Sequence, residues 1–178
     1  IQSKEVLICR MIADLLNPRG QHGAGAEYLK IFLRDCLGMK KMDTKLAGQA
    51  IVTAEYAIDD ERRIDIVIEI GSYFLPIEVK IYAADQKSQC FDYYQYAKRR
   101  DAQAKVYYLT LDGHRPGKDS TSSGSQSVPE EDIVCLSFRE HILNWLKACK
   151  SCENTGMVPI LEQFIQNIEP VSYTHLRA

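Results

Sequence analysis

The segment Arg63 to Ile81 constrains the fold more tightly than any other part of the chain. Ile64, Ile66, Ile68 and Ile70 alternate with other residues and so share one face, and Leu75, Ile77, Val79 and Ile81 do the same. A period of two marks strands buried on one side. Between the two runs stands Gly71-Ser72. Glycine at the first position of a two-residue loop suits a type II′ hairpin turn. Folding the chain there sets Ile66 opposite Ile77, Ile68 opposite Leu75 and Ile64 opposite Val79. The two apolar faces then coincide, and the register is self-consistent.

The same register sets Asp65 opposite Glu78 on the other face. Directly paired residues have Cβ atoms roughly 4.5–5.5 Å apart. Lys80 lies two residues beyond Glu78 and projects from that face too. Like charges directly opposite each other destabilise a sheet, and a divalent cation between them removes the repulsion. Mg²⁺ prefers oxygen ligands, often takes only one or two carboxylates, and leaves room for water and phosphate. Lys80 can then orient or deprotonate an attacking water, or offset charge in the transition state. Spacing alone also allows a plain solvated face with Asp65 and Lys80 as a diagonal ion pair.

Helical spacing of apolar residues predicts a helix over about Lys4 to Leu16, broken by Asn17-Pro18-Arg19-Gly20, and a second over about Gly25 to Leu37. Strands are expected at Ile51–Ile58, Arg63–Ile70, Tyr73–Ile81, Ala104–Leu111 and Asp132–Leu136. A long helix is expected at about Ala84–Arg100, ending in Lys98, Arg99 and Arg100, which suit the negative end of a helix dipole. Lys118 to Ser127 reads as a polar mobile loop, and two helices close the chain at about Ser137–Lys150 and Met157–Ile168. The order predicts an α/β fold, a central mixed sheet flanked by helices. Residues 1–170 read as one domain. The start without Met points to a fragment of a longer protein, and Val171–Ala178 reads as a non-native tail.

The pattern Arg-Ile-Asp65 followed by Ile-Glu78-Val-Lys80 resembles the second and third motifs of the PD-(D/E)XK nuclease superfamily. Ile64 stands where the family usually has Pro. Gln89 and Tyr93 resemble the Q-x-x-x-Y element of RecB-like members, and their i, i+4 spacing turns both side chains one way. The segment from Leu15 to Leu33 resembles the N-terminal part of a bacterial subset. The resemblance spans about residues 5–112. It implies a restriction-endonuclease-like αβββαβ core and a Mg²⁺ ion, with Mn²⁺ as the other candidate, held by Asp65, Glu78 and the Val79 carbonyl. It implies Lys80 as the residue assisting water, and Gln89 and Tyr93 as substrate-positioning groups beside the catalytic three. It offers His22 or Glu27 as a further metal ligand. The plain readings of those two are a solvated turn residue and a first-turn carboxylate complementing the helix dipole. The implied substrate is DNA, in defence against phage or in repair. The rival on the same fold is an inactive nucleic-acid-binding or regulatory module.

A net charge of −2 does not advertise non-specific DNA coating, but it is compatible with a carboxylate pocket that binds phosphate through metal. Phosphate-loop and G-x-S-x-G motifs are absent, so ATP hydrolysis and serine-hydrolase chemistry lack support. No apolar run reaches the roughly 18 residues of a membrane span. Six scattered cysteines with no secretion signal point to reduced thiols in a cytoplasm. Cys149 and Cys152 form one C-x-x-C without the second ligand pair that structural zinc requires. Asp112-Gly113-His114 reads as a turn. Nothing in the sequence sets an oligomeric state.

Overall fold

Alternating β-branched residues build the centre of the molecule. In the computed structural model, residues 2–149 are described, and beyond them residues 156, 158–160, 162–163 and 165–166. Five strands form one mixed sheet: β1 (Ile51–Ala57), β2 (Arg63–Ile70), β3 (Tyr73–Lys80), β4 (Val106–Thr110) and β7 (Ile133–Ser137), side by side in that order. β1, β2 and β3 run antiparallel to one another, whereas β3, β4 and β7 are parallel. The short strands β5 (Ser122–Ser123) and β6 (Gln126–Ser127) pair apart from this sheet.

Helices cover both faces. The apolar stripes of α1 (Gln2–Leu16) and α2 (Glu27–Asp35) pack with α6 (Leu143–Ala148) against Ile66, Ile68, Ile77 and Val79. Trp145 anchors this layer: its ring meets Phe32 edge-on, and its indole N–H donates to the Tyr28 carbonyl at 2.8 Å. On the other face α4 (Gln89–Arg100) packs Cys90, Phe91, Tyr93, Tyr94 and Ala97 over Val67, Phe74, Val106 and Tyr108. With both sheet faces covered, the parallel strand β4 is buried along its whole length, Thr110 included.

The hairpin register is the predicted one. Ile66 pairs with Ile77, Ile68 with Leu75 and Ile70 with Tyr73. Gly71 carries a φ of 57°, and Ser72 does not share the positive sign, as a type II′ turn requires. One detail is corrected: Ile64 does not stay on the face of Ile66. It packs in the α4 layer, beyond Ile66, where regular β2–β3 pairing stops.

Other differences are local. The long helix begins at Gln89, not near Ala84. Ser88, with a φ of 58°, turns the chain into it, and residues 81–88 form bends and turns. The polar stretch 118–127 is ordered as α5 (Lys118–Thr121) followed by the β5–β6 hairpin. Ser120 is fully buried, and its hydroxyl accepts the Cys90 N–H, which ties the stretch to α4. A short helix α3 (Thr44–Gly48), capped by Asp43, was not foreseen. Phe138–Ile142 form a π-type turn leading into α6. The expected last helix is represented by helical residues 158–160, 162–163 and 165–166, and the tail lies outside the described residues. No helix among the described residues is long and apolar enough to cross a membrane.

Candidate active site

Where β2 and β3 stop pairing, side chains replace the ladder. The Asp65 carboxylate turns inward and its Oδ2 accepts the Val79 main-chain N–H at 2.8 Å. Glu78 is 3% exposed and lies against Asp65. The Lys80 ammonium lies 3.8 Å from Glu78 Oε1 and donates to the Ala84 carbonyl at 3.3 Å. The expected trio of two carboxylates and one ammonium is therefore assembled at one end of the central hairpin. Lys80 is more deeply placed than a solvated pocket implies, at 8% exposure.

Helix α4 closes the site from above. Gln89 and Tyr93, one turn apart, both face inward. Gln89 Nε2 donates to the Tyr93 hydroxyl at 3.2 Å, and that hydroxyl donates to the Arg63 carbonyl at 2.7 Å. Tyr93 also lies against Glu78 and favours its charged form, but its proton is committed to Arg63. Two buried oxygens are thereby left without a hydrogen-bond partner among the described residues, Glu78 Oε2 and Gln89 Oε1.

Burial raises the Glu78 carboxyl well above the ordinary glutamate range, and neighbouring Asp65 raises it further, with Lys80 opposing. Burial also raises Asp65, while its hydrogen bonds to Glu78 and Val79 hold it down. Both directions favour the protonated form of the pair, most strongly at Glu78. Burial, with Glu78 close by, drives the Tyr93 phenol up as well, so it stays a neutral donor.

Glu5 is a site neighbour that the sequence reading missed. It lies on α1 and is 8% exposed. Its Oε1 accepts the main-chain N–H groups of Ile81 at 2.7 Å, of Tyr82, and of Ala83 at 3.0 Å. The carboxylate thus pins the three residues that follow Lys80. A signal was present: Glu5, Cys9, Ile12 and Leu16 fall on one helical stripe, and a charge on an apolar stripe needs a buried partner. Cys9 sits in the midst of these acids. Burial first, and then Asp65, Glu78, Glu5 and Glu55, push its thiol up and keep it neutral.

Glu55 is a second unforeseen neighbour. β1 and β2 pair on either side of it, Ala54 with Ile66 and Tyr56 with Ile64, and Glu55 itself sits at a φ of 54°. This kink stands across from Asp65, and the Glu55 carboxylate pairs outward with Arg10 at 2.9 Å.

His22 and Glu27 are not brought to this site. His22 Nε2 contacts the Asn17 carbonyl at 2.8 Å, Nδ1 accepts the Ala24 N–H at 3.0 Å, and the ring packs on Tyr28. Both nitrogens are engaged in shaping the α1–α2 turn. Arg19 of that turn reaches the carbonyls of Gly48 and Ala50, next to the strand end that pairs with Glu69. That is the turn end of the β2–β3 hairpin, the far end from Asp65. Glu27 is exposed on α2 in a cavity wall with Lys30 and Arg34. The plain readings of both residues hold here: turn former and first-turn carboxylate. The Asp112-Gly113-His114 turn is borne out, with His114 Nδ1 2.6 Å from Asp112 Oδ1. It follows Thr110, which pairs with Lys80 across β3–β4. Cys152 of the C-x-x-C lies outside the described residues.

The residues present suit a hard divalent cation. Glu78 Oε2 is a buried carboxylate oxygen with no donor among the described residues, beside a second carboxylate and the main chain of Val79. Among the described residues no group of three or more His, Cys, Asp or Glu side chains is arranged to hold a metal. An ion here would therefore draw on two carboxylates and a carbonyl, completed by water and substrate, which is the sparse set that Mg²⁺ favours.

A family model for the PD-(D/E)XK nuclease superfamily matches residues 1–166. No curated protein and no solved structure matches the chain.

Proposed function

Because the chain belongs to the PD-(D/E)XK nuclease superfamily, we propose that it is a Mg²⁺-dependent deoxyribonuclease whose catalytic residues are Asp65, Glu78 and Lys80. Membership implies a nuclease acting on nucleic acid. DNA as the substrate, Mg²⁺ as the ion and defence against phage or DNA repair as the setting belong to the proposal. The observation that carries it is the unpartnered Glu78 Oε2, buried beside Asp65 and 3.8 Å on its other oxygen from the Lys80 ammonium. A merely structural sheet face has no use for a buried carboxylate pair of raised pKa. A decayed binding module has no use for keeping all three groups.

Asp65, Glu78 and the Val79 carbonyl would hold the ion, which supplies a Lewis acid and an activated water. Lys80 is fixed by the Ala84 carbonyl and by Glu78, so its ammonium stands beside the carboxylates without wandering. It orients the water and offsets charge gathering on the phosphate oxygens. The water oxygen attacks phosphorus in line, the bond to the leaving sugar oxygen breaks, and that oxygen takes up a proton. Tyr93 and Gln89 hold the roof: the first keeps Glu78 facing the pocket, and the second has a free amide oxygen, Oε1, to offer a substrate donor.

The test is incubation with linear and circular DNA, and with RNA of matched sequence, in Mg²⁺, Mn²⁺ or EDTA. Metal-dependent cutting of DNA that EDTA abolishes and Asp65→Asn eliminates is the expected result. Cleavage that persists in EDTA, or activity on RNA alone, contradicts the proposal. Circular DNA reports internal cutting directly.

A further inference from the structure

A cavity of about 330 Å³ opens at the other end of the hairpin from Asp65 and Glu78. Its floor is apolar, with Leu75 and Tyr107 belonging to the layer under α1 and α2. Its rim carries Lys40 and Lys41, from the loop after α2, and Lys105, from the turn before β4. Among the described residues none of these three ammonium groups has a hydrogen-bond or ion-pair partner. The acid in the cavity wall is Asp101, and it is occupied: Oδ2 accepts the Phe74 N–H at 3.1 Å and Oδ1 accepts the Gln103 N–H at 3.0 Å. The cavity thus gathers three ammonium groups against one carboxylate, a local excess of positive charge in a chain whose net charge is −2. Tyr73 stands in the same wall and is 41% exposed, an unusual exposure for a large aromatic side chain.

We infer that this cavity is a second binding site, for a nucleoside phosphate. The three lysines take the phosphate oxygens, and the Tyr73 ring and the apolar floor take the base. The volume falls at the lower end of the range of small-molecule pockets, and an exposed aromatic ring offers a face on which any base can stack. The site is distinct from the carboxylate centre. Tyr73 begins β3 and Lys80 ends it, a span of about 23 Å at the usual rise. Leu75 and Tyr107 also face the α1 layer, whereas Tyr108, the β4 partner of Glu78, faces α4. The phosphate can come from a free nucleotide or from the terminal nucleotide of a strand, and the experiment separates the two.

Isothermal titration of the protein with dAMP, ATP, adenosine and a 5′-phosphorylated oligonucleotide tests this. It is run on wild type, on the triple variant Lys40→Ala, Lys41→Ala, Lys105→Ala, on the matching triple Lys→Arg variant, and on Asp65→Asn. Phosphorylated ligands should bind at least about tenfold more tightly than adenosine, a factor worth about 1.4 kcal/mol. The triple Ala variant should lose that advantage and the triple Arg variant should keep it. Asp65→Asn should bind as wild type does, so failure here is separable from failure of the nuclease reading. If the oligonucleotide alone binds, the source is a strand, and the salt slope of its affinity should fall by about 2–3 in the triple Ala variant. Equal binding by wild type and the triple Ala variant, or no preference for phosphorylated ligands over adenosine, overturns the inference.

Discussion

Without a divalent ion, the Asp65–Glu78 pair should hold a proton that unfolding sets free, and stability should record it. Burial and then Asp65 raise Glu78 well above its ordinary 4.5, and the proton belongs to the pair, not to either residue. Between the unfolded value and the higher folded value, the folded state binds one more proton than the unfolded chain. Stability therefore declines as pH rises across that window, by at most about 1.4 kcal/mol per pH unit. The contribution is complete below the unfolded value and is lost as pH climbs through the folded one. For a domain of this size each kcal/mol moves Tm by about 2–4 °C, so the expected fall is about 3–6 °C per pH unit. Glu78→Gln keeps the shape and cannot ionise. The difference between wild type and Glu78→Gln, melted in EDTA from about pH 5 to about pH 8, isolates the pair from every other titrating group. Ion binding must expel the same proton, so Mg²⁺ affinity should rise about tenfold per pH unit across the window. Calorimetry in two buffers of unlike ionisation enthalpy should then find about one proton released per ion. Parallel melting curves for wild type and Glu78→Gln, or ion binding without proton release, would refute the shared proton.

Three further outcomes follow from the geometry. Lys80→Ala should lower kcat by about 10²–10⁴-fold while the circular-dichroism spectrum stays unchanged; wild-type turnover in this variant would remove Lys80 from the mechanism. Mg²⁺ at a hundred times its Kd should stabilise the wild type by about 2.7 kcal/mol, read as a rise of roughly 5–10 °C in Tm, and leave Asp65→Asn almost unmoved; equal responses would place the ion elsewhere. Glu5→Ala strands three main-chain N–H groups and should cost about 2–4 kcal/mol, whereas Glu5→Gln keeps an acceptor oxygen and should cost much less in both Tm and kcat; similar losses in the two variants would show that charge, not the clamp on residues 81–83, matters.

What the sequence disclosed was whatever its periods encode. Alternation over Arg63–Ile81 together with Gly71-Ser72 determines strand, turn and register at once, and a one-residue slip would have turned every isoleucine to the wrong face. That is why the sequence already groups Asp65, Glu78 and Lys80 at one place, and why Gln89 and Tyr93, spaced one helical turn apart, turn the same way. Period says nothing about which end of a helix lies over which end of a strand. His22 and Glu27 have suitable chemistry, but the α1–α2 turn lies at the hairpin's turn end, so the fold sets both apart from Asp65 and Glu78. Polar stretches mislead for a related reason. The segment 118–127 reads as loose because its serines look solvated, yet Ser120 is buried under α4 and serves as an acceptor for Cys90.

The deeper gap concerns irregularity. The site exists because the sheet departs from its ladder at one level across three strands. At that level Glu55 takes a positive φ on β1, Asp65 of β2 accepts a β3 amide with its side chain where the β2–β3 ladder has ended, and Glu78 is left with an oxygen that nothing among the described residues satisfies. A non-glycine residue in the left-handed region costs on the order of 1–3 kcal/mol, and such strain persists where the surroundings over-determine it. Here the Arg10–Glu55 pair on one side and the Glu5 clamp on the other enclose the distorted stretch. Both anchors come from α1, so this helix does more than cover the sheet: it grips both sides of the bent stretch at which Asp65 and Glu78 meet. Arg10→Ala tests this step. If the strain is held from α1, the variant should relax the Glu55 kink and weaken Mg²⁺ binding, although Arg10 touches neither carboxylate of the pair. Unchanged Mg²⁺ affinity in Arg10→Ala would show that the bend is intrinsic to the sheet.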